Sequence, residues 1–496
     1  MQQVQEMKQC LATLLAAISL FTVIADPVRA DCDQLHFADL AEQKQWQQLA
    51  SQLQAITKDD AAVNAVQPDG MTALHWAVLH GEAEIVDRLI AAGANTNAET
   101  RYKITPLYIA CTLNNSEIVE KLLKHKADPN TVYPGGVTAL MLAARTGNAA
   151  SIKHLIQHDA EADATERQGQ TAMMWATAEG NAAAVHALIS AGADPNREDK
   201  AGFTAMLFAA RHGRTEVADT LLKAGVDVNF AMESKRGGNR APSTGTSAML
   251  MAVESGHFEL AMFLVNHGAD PNDQRSGFTA LHVLTWVRKP KVGEDPDGDP
   301  PPQGSGSLTS LEFAKLIAAA GADVNTQLVA GKGGKAFLNM KGATPFLLAS
   351  RTADLPYMKL LIELGADPTI TNVDGCHALM AAAGVGVRAV GEEPGSETEV
   401  IEAIEFLIGH GLDVNTVDRN KETAMHGAAY RNFPLVVNYL AAHGSDSALW
   451  NHKNASGWTP VMIAEGHRPG SFKPSPETVK ALEAAMNLAI KEPSQN

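Results

Sequence analysis

The string LIAAGANTN at residues 89–97 returns, altered but recognisable, along most of the chain. Counted at its last position, Asn64, Asn97, Asn130, Asp163, Asn196 and Asn229 stand 33 residues apart; Asn272, Asn325, Thr369, Asn415 and Ala448 follow at intervals of 43, 53, 44, 46 and 33. A period of about 20 to 50 residues restricts the architecture severely, because a unit so short cannot bury an apolar face alone and must cover that of its neighbour. The 496 residues are therefore read as a row of modules. Length alone would suggest roughly three or four globular domains.

One unit, DGMTALHWAVLHGEAEIVDRLIAAGANTN, shows how a module is built. Asp69-Gly70 is a turn signal, and Thr72 caps a short helix whose apolar members are Leu74, Trp76, Ala77 and Val78. Gly81 ends that helix. Glu82 and Glu84 suit the positive end of a second helix, and Ile85, Val86, Leu89 and Ile90 form its apolar stripe before Gly93 closes it. The unit reads as inner helix, turn, outer helix and hairpin.

The 33-residue period and the strings TALHWA, TPLYIA, TALMLAA, TAMLFAA, LLKAGVDVN and LVNHGADPN resemble the ankyrin repeat. The resemblance covers about 450 residues and implies an all-α solenoid of about eleven units, non-catalytic and given to binding other proteins. The pattern departs from the family in places. TxxH survives only at His75, His282 and His426 and the family's Pro only at Pro106, Pro345 and Pro460, so the imidazole braces are in question elsewhere; Met173, Met206, Met249 and Met425 read as core filler. The expected organisation is a signal at 1–30, a capping repeat at 31–66, regular repeats at 67–229, repeats with insertions at 230–415, and C-terminal repeats with a capping helix at 416–490.

Subtracting 33 from the long intervals leaves 10, 20, 11 and 13 extra residues, all in four consecutive units. The first (AMESKRGGNRAPSTG) and third (TQLVAGKGGKAFLNMKG) fall in the hairpin; the second (within 287–310) and fourth (GVGVRAVGEEPGSETE) fall between inner and outer helices. The hairpin insertions are basic, with Lys235, Arg236, Arg240, Lys332, Lys335 and Lys341 against Glu233. The turn insertions are acidic, with Glu294, Asp295, Asp297, Asp299, Glu392, Glu393, Glu397 and Glu399. Loops on a rigid scaffold carry function, so these are expected to grip a partner; the alternative is tolerated length drift, since doubling a loop costs only about 0.6 kcal/mol.

The resemblance also implies that the two residues closing each inner helix face a concave groove. These include Leu79-His80, Arg145-Thr146, Ala178-Glu179, Arg211-His212, Glu254-Ser255, Trp286-Val287, Arg351-Thr352 and Tyr430-Arg431. Arg and aromatic residues anchor interfaces by joining apolar area to directed hydrogen bonds, although Arg at a helix C-terminus also suits the dipole unaided. The expected partner-binding set is Arg145, Arg211, His212, Trp286, Arg351, Tyr430 and Arg431 with Lys235, Arg236, Lys332 and Lys335 of the hairpin insertions.

No HExxH, GxSxG, CxxC or complete P-loop occurs, and no catalytic residue, cofactor or metal is expected. His154 and His158 are four apart, but His125, His158, His267, His410 and His443 share one repeat position at an outer-helix end, where imidazole suits the dipole. GVGVRA and GKGGKA lack the strand–helix setting of a dinucleotide loop. Asp295, Asp297 and Asp299 have calcium-loop spacing, but Pro300 and Gly306 stand where Gly and Glu are required.

Residues 1–30 join a weakly basic start to a 15-residue apolar run, Leu11 to Ala25, followed by Val28-Arg29-Ala30. This reads as a bacterial secretory signal cleaved after Ala30, giving a periplasmic or secreted chain with no membrane insertion. Its removal leaves Cys32, Cys111 and Cys376, an odd number with no pairing assigned. The formal charge of -16 disfavours nucleic acid. The expected function is a protein-binding scaffold of the cell envelope, with an accessory of a periplasmic enzyme system carrying a cofactor or metal site among the inserted loops, and a host-directed secreted effector, as the other readings.

Overall fold

The computed structural model describes residues 36–56, 61–233, 244–290, 300–330, 338–467 and 473–490. Among them are 25 α-helices and no strand, with two isolated bridges, Tyr133 to Val137 and Ala231 to Ser247. The expected signal segment, Cys32, the Asp295 to Asp299 triplet and the four basic residues expected in the hairpin insertions to bind a partner (Lys235, Arg236, Lys332 and Lys335) lie outside the described residues. Contacts divide the chain into two units, residues 1–128 and 129–496.

The first unit stacks three helix pairs: Phe37–Glu42 with Trp46–Ala55, Ala73–His80 with Ala83–Ala91, and Pro106–Thr112 with Ser116–Lys124. Its middle pair forms as its sequence dictates. The Thr72 side chain accepts from the His75 N–H, the Thr72 N–H donates to His75 Nδ1 at 3.2 Å, and Gly81 closes the helix at φ 76°. Because Nδ1 accepts, Nε2 carries the ring proton, and it donates to the Ile104 carbonyl of the next pair at 3.1 Å. In the outer helix Ile85, Val86, Leu89 and Ile90 are buried, each contributing about 1.5–3 kcal/mol.

The second unit stacks nine pairs, from Ala139–Thr146 with Ala149–Gln157 to Pro460–Ala464 with Pro476–Ile490. That makes twelve pairs where about eleven were expected, because the last pair carries no closing motif. Inner helices lacking TxxH keep half of the capping box: Thr138, Thr171, Thr204, Ser247 and Thr344 each accept from the N–H three residues on. His282 and His426 keep both halves. Met173, Met206, Met249 and Met425 are core, at most 2% exposed. His158, His267, His410 and His443 are helix C-caps, and no group of three or more metal-binding side chains occurs among the described residues. Cys111 of the first unit and Cys376 of the second are buried, with burial pushing both thiols up.

The recurring asparagine has a structural task. In the first unit Asn64 Nδ2 donates to the Gly93 carbonyl at 2.9 Å while its Oδ1 accepts from the Asn95 N–H at 2.7 Å; Asn97 repeats this with Lys126 and Asp128. In the second unit Asn130, Asn229, Asn272, Asn325 and Asn415 make the same two bonds to the following repeat. The accepted amide lies 31 residues ahead in a regular unit but 41, 51 and 42 ahead of Asn229, Asn272 and Asn325. Those excesses equal the first three insertion lengths, so the joint to the next repeat keeps its register despite the extra residues.

Candidate functional site

The candidate site is the set of turns closing the inner helices of the second unit. At its start these turns keep their last side chains exposed or half-buried, although the second insertion reaches the backbone of two of them at Gly213 and Gly256. Arg145 is half-buried with its guanidinium carbon 5.6 Å from the centre of the Trp175 ring. Arg211 is exposed and lies 5.6 Å from the Phe203 ring, which meets Phe208 at 5.4 Å; Phe208 in turn stacks on His212. Burial, and Arg211 and Arg214 nearby, hold the His212 imidazole below its usual pKa against the pull of the Phe208 carbonyl. Trp286 is half-buried and edges onto Phe278 at 5.0 Å. Arg and Trp over aromatic faces form a surface able to take both apolar and hydrogen-bonding groups.

Farther on, the chain fills the same positions itself. Tyr430 is fully buried: its hydroxyl donates to Glu422 Oε1 at 2.7 Å and accepts from Asn454 Nδ2 at 3.0 Å. Arg431 is 4% exposed, with Nη2 donating to the carbonyls of Glu393, Pro394 and Gly395. Desolvation pulls its pKa down to about 10. Arg351 pairs with Glu393 at 2.6 Å, its side chain 15% exposed and that of Glu393 4%. The expected column is therefore not one open surface, and Tyr430 and Arg431 do not belong to it. The reason is the fourth insertion, whose Glu393-Pro394-Gly395 segment lies across both arginines.

The two turn insertions share this habit of folding back. In the second, the Ser305 N–H donates to His257 Nδ1 at 2.9 Å, and Ser307 N–H, Ser307 Oγ and Leu308 N–H all donate to Glu259 Oε1. A Cβ on Gly304 would stand 1.9 Å from the Gly256 carbonyl oxygen, so only glycine permits the approach. In the fourth, Glu399 pairs with Lys289 at 2.7 Å, and Glu397 accepts from the Leu435 N–H. The acidic edge expected to face a partner is, at Glu393, Glu397 and Glu399, bonded within the chain.

The hairpin insertions leave the bonds of their hairpins in place. In a regular hairpin the Asp199 N–H donates to the Phe203 carbonyl and the Gly202 N–H to the Asp199 carbonyl. Met232 with Thr246 and Gly245, and Leu328 with Ala343 and Gly342, make the same pair of bonds around the first and third insertions. Beyond these bonds the described end of the third insertion packs onto the stack: Leu338 is 6% exposed in a core cluster with Leu328 and Val385, and the Asn339 carbonyl accepts from Asn372 Nδ2 at 2.9 Å.

Ankyrin-repeat models match residues 41–133, 140–232 and 396–483, and a further one matches 249–286, together more than half of the chain. The chain belongs to the ankyrin-repeat family. This ankyrin-repeat chain is 28% identical over 130 residues to a mouse B-cell lymphoma 3 protein homolog, covering 26% of each. It is 31% identical over 121 residues to alpha-latroinsectotoxin-Lt1a of Latrodectus tredecimguttatus, covering 24% of the chain and 7% of that protein. The chain thus spans about a quarter or less of the length of these relatives. Among the described residues no helix is long and apolar enough to cross a membrane. The asparagine clasps and the fold-back of the turn insertions were missed by sequence reasoning; the Asn that closes eight of the eleven periods was the available signal for the clasps.

Proposed function

We propose that this chain is a non-catalytic protein-binding scaffold whose partner docks on the open turns of the second unit, at Arg145, Arg211, His212 and Trp286. The observation that carries this reading is the contrast along one register position. Arg211 is exposed and Trp286 half-buried beside further aromatic rings, whereas Tyr430 and Arg431 are covered by the chain. A stack locked by paired asparagine bonds presents such a surface already ordered, which lowers the entropic cost of association. The basic hairpin insertions, with Lys235, Arg236, Lys332 and Lys335, extend the grip by their charge. The net charge of -16 favours a protein over nucleic acid. The apolar run ending before Val28-Arg29-Ala30 supports export to a bacterial periplasm or beyond.

The test is cross-linked recovery of partners from native periplasm with the intact chain, an Arg211→Ala/Trp286→Ala double variant, and an Arg419→Ala control. Arg419 is exposed and bonded to the Val373 carbonyl in a hairpin. The double variant is expected to lose the partner that intact chain and control recover. Equal recovery by all three would exclude the open turns as the docking surface.

A further inference from the structure

Resting on that reading, we propose that Glu254 receives a Lys or Arg side chain from an extended segment of the partner protein, between the Arg211 and Trp286 turns. Glu254 is the last residue of the inner helix Ala248–Glu254, which packs against the inner helices Ala205–Arg211 and Ala280–Arg288. At the matching position the other turns of this stretch carry Arg145, Ala178, Arg211, Trp286 and Arg351. A carboxylate there reverses the sign that a helix C-terminus favours, so the helix gains nothing from it.

The fold gains nothing from it either. Among the described residues no cation or hydrogen-bond donor pairs with the Glu254 carboxylate, although the side chain is half-buried. Other acids near these turns are satisfied: Asp354 holds Arg288 through two bonds, Glu393 holds Arg351, and Glu399 holds Lys289. Burial alone raises the Glu254 pKa to about 7, with no neighbouring charge opposing it. Arg211, the preceding cation of the column, lies over Phe203 instead.

The neighbours suit a cationic side chain. Phe208 lies in the turn before Glu254, and Phe278 with Trp286 in the turn after it, all three half-buried. Aromatic faces accept the alkyl stem of lysine and the guanidinium of arginine while a carboxylate takes the charged end. The chain's overall negative charge draws a basic segment toward the surface, and a carboxylate with no partner among the described residues fixes where it seats.

The experiment selects a random linear-peptide display library on the purified full chain and repeats the selection on Glu254→Gln and Glu254→Lys. Wild type is expected to enrich Lys or Arg at one fixed position. Synthetic copies of those peptides should bind Glu254→Gln about tenfold more weakly, and Glu254→Lys should enrich Asp or Glu at that position. Glu254→Gln should unfold no lower than wild type, since the carboxylate makes no bond among the described residues to lose and glutamine removes the cost of burying its charge. Retention of the same basic preference by Glu254→Gln, or its destabilisation, would overturn the assignment. Binding lost on Trp286→Ala but kept on Glu254→Gln sinks this inference alone; capture of no peptide, or peptides indifferent to both substitutions, sinks the groove reading as well.

Discussion

Glu422 accepts from two neutral donors, the Tyr430 hydroxyl and Asn454 Nδ2, in a site where it is 7% exposed. Asp418, equally buried, stands four residues earlier, and burial lifts the two carboxyls to about 7 and about 6. A carboxyl raised in the folded state stabilises the fold fully below its unfolded pKa and loses that contribution as pH climbs through the folded value. For Glu422 the window runs from 4.5 to about 7. His75 and His282 are depressed to about 4 by burial, so their contribution is present above 6.5 and lost as pH falls toward 4. The two effects oppose one another between pH 5 and 6.5, and a difference measurement separates them. Glu422→Gln, which keeps an acceptor for Tyr430, should gain on wild type as pH rises, by about 1–2 kcal/mol at pH 8 relative to pH 5. Urea unfolding at both pH values measures it; a pH-independent difference would show that Glu422 does not titrate in this range. The local pattern revealed Tyr430 and Arg431 as turn residues but not their burial, because Glu422, Asn454 and Glu393 reach them from 8, 24 and 38 residues away.

At the scale of elements, the helices were legible because each rule is local: a hydroxyl cap, a glycine stop, an apolar stripe at helical spacing. Insertion lengths and their places between elements were legible too, since both follow from counting against the period. What the insertions touch was not. The second insertion approaches Gly256 through Gly304, and that requirement depends on a backbone 48 residues away in sequence. Gly304→Ala should detach this strap, because the new Cβ would collide with a carbonyl oxygen that cannot swing aside as a side chain can. The expected cost is about 1–3 kcal/mol. Hydrogen exchange should quicken at the amides of Ser305, Ser307 and Leu308, which donate to His257 and Glu259. Unchanged exchange there would show that the strap holds without the Gly304 approach.

For the molecule as a whole, stability in a repeat array is approximately a sum of module and nearest-neighbour contributions. An insertion is therefore tolerated only if it leaves the joint to the next repeat intact. The first insertion meets that condition at both ends. Asn229 still bonds the Gly268 carbonyl and the Asp270 amide, and Met232 still closes its hairpin with Thr246 and Gly245. The ten residues 234–243 equal the excess in the interval, and joining Glu233 to Thr244 would place Ser247 eight residues after Asn229, as Thr204 follows Asn196. Deletion of 234–243 should therefore change the unfolding free energy by no more than about 0.5 kcal/mol, the saving from a shorter loop being small. Lys235, Arg236 and Arg240 leave with the segment, so partner recovery should fall although the fold does not. Denaturant unfolding and cross-linked recovery on the same preparation separate the two effects. A stable deletion variant with undiminished recovery would leave the first insertion as length drift and confine recognition to the open turns and the third insertion. A destabilised one would show that residues 234–243 carry part of that joint.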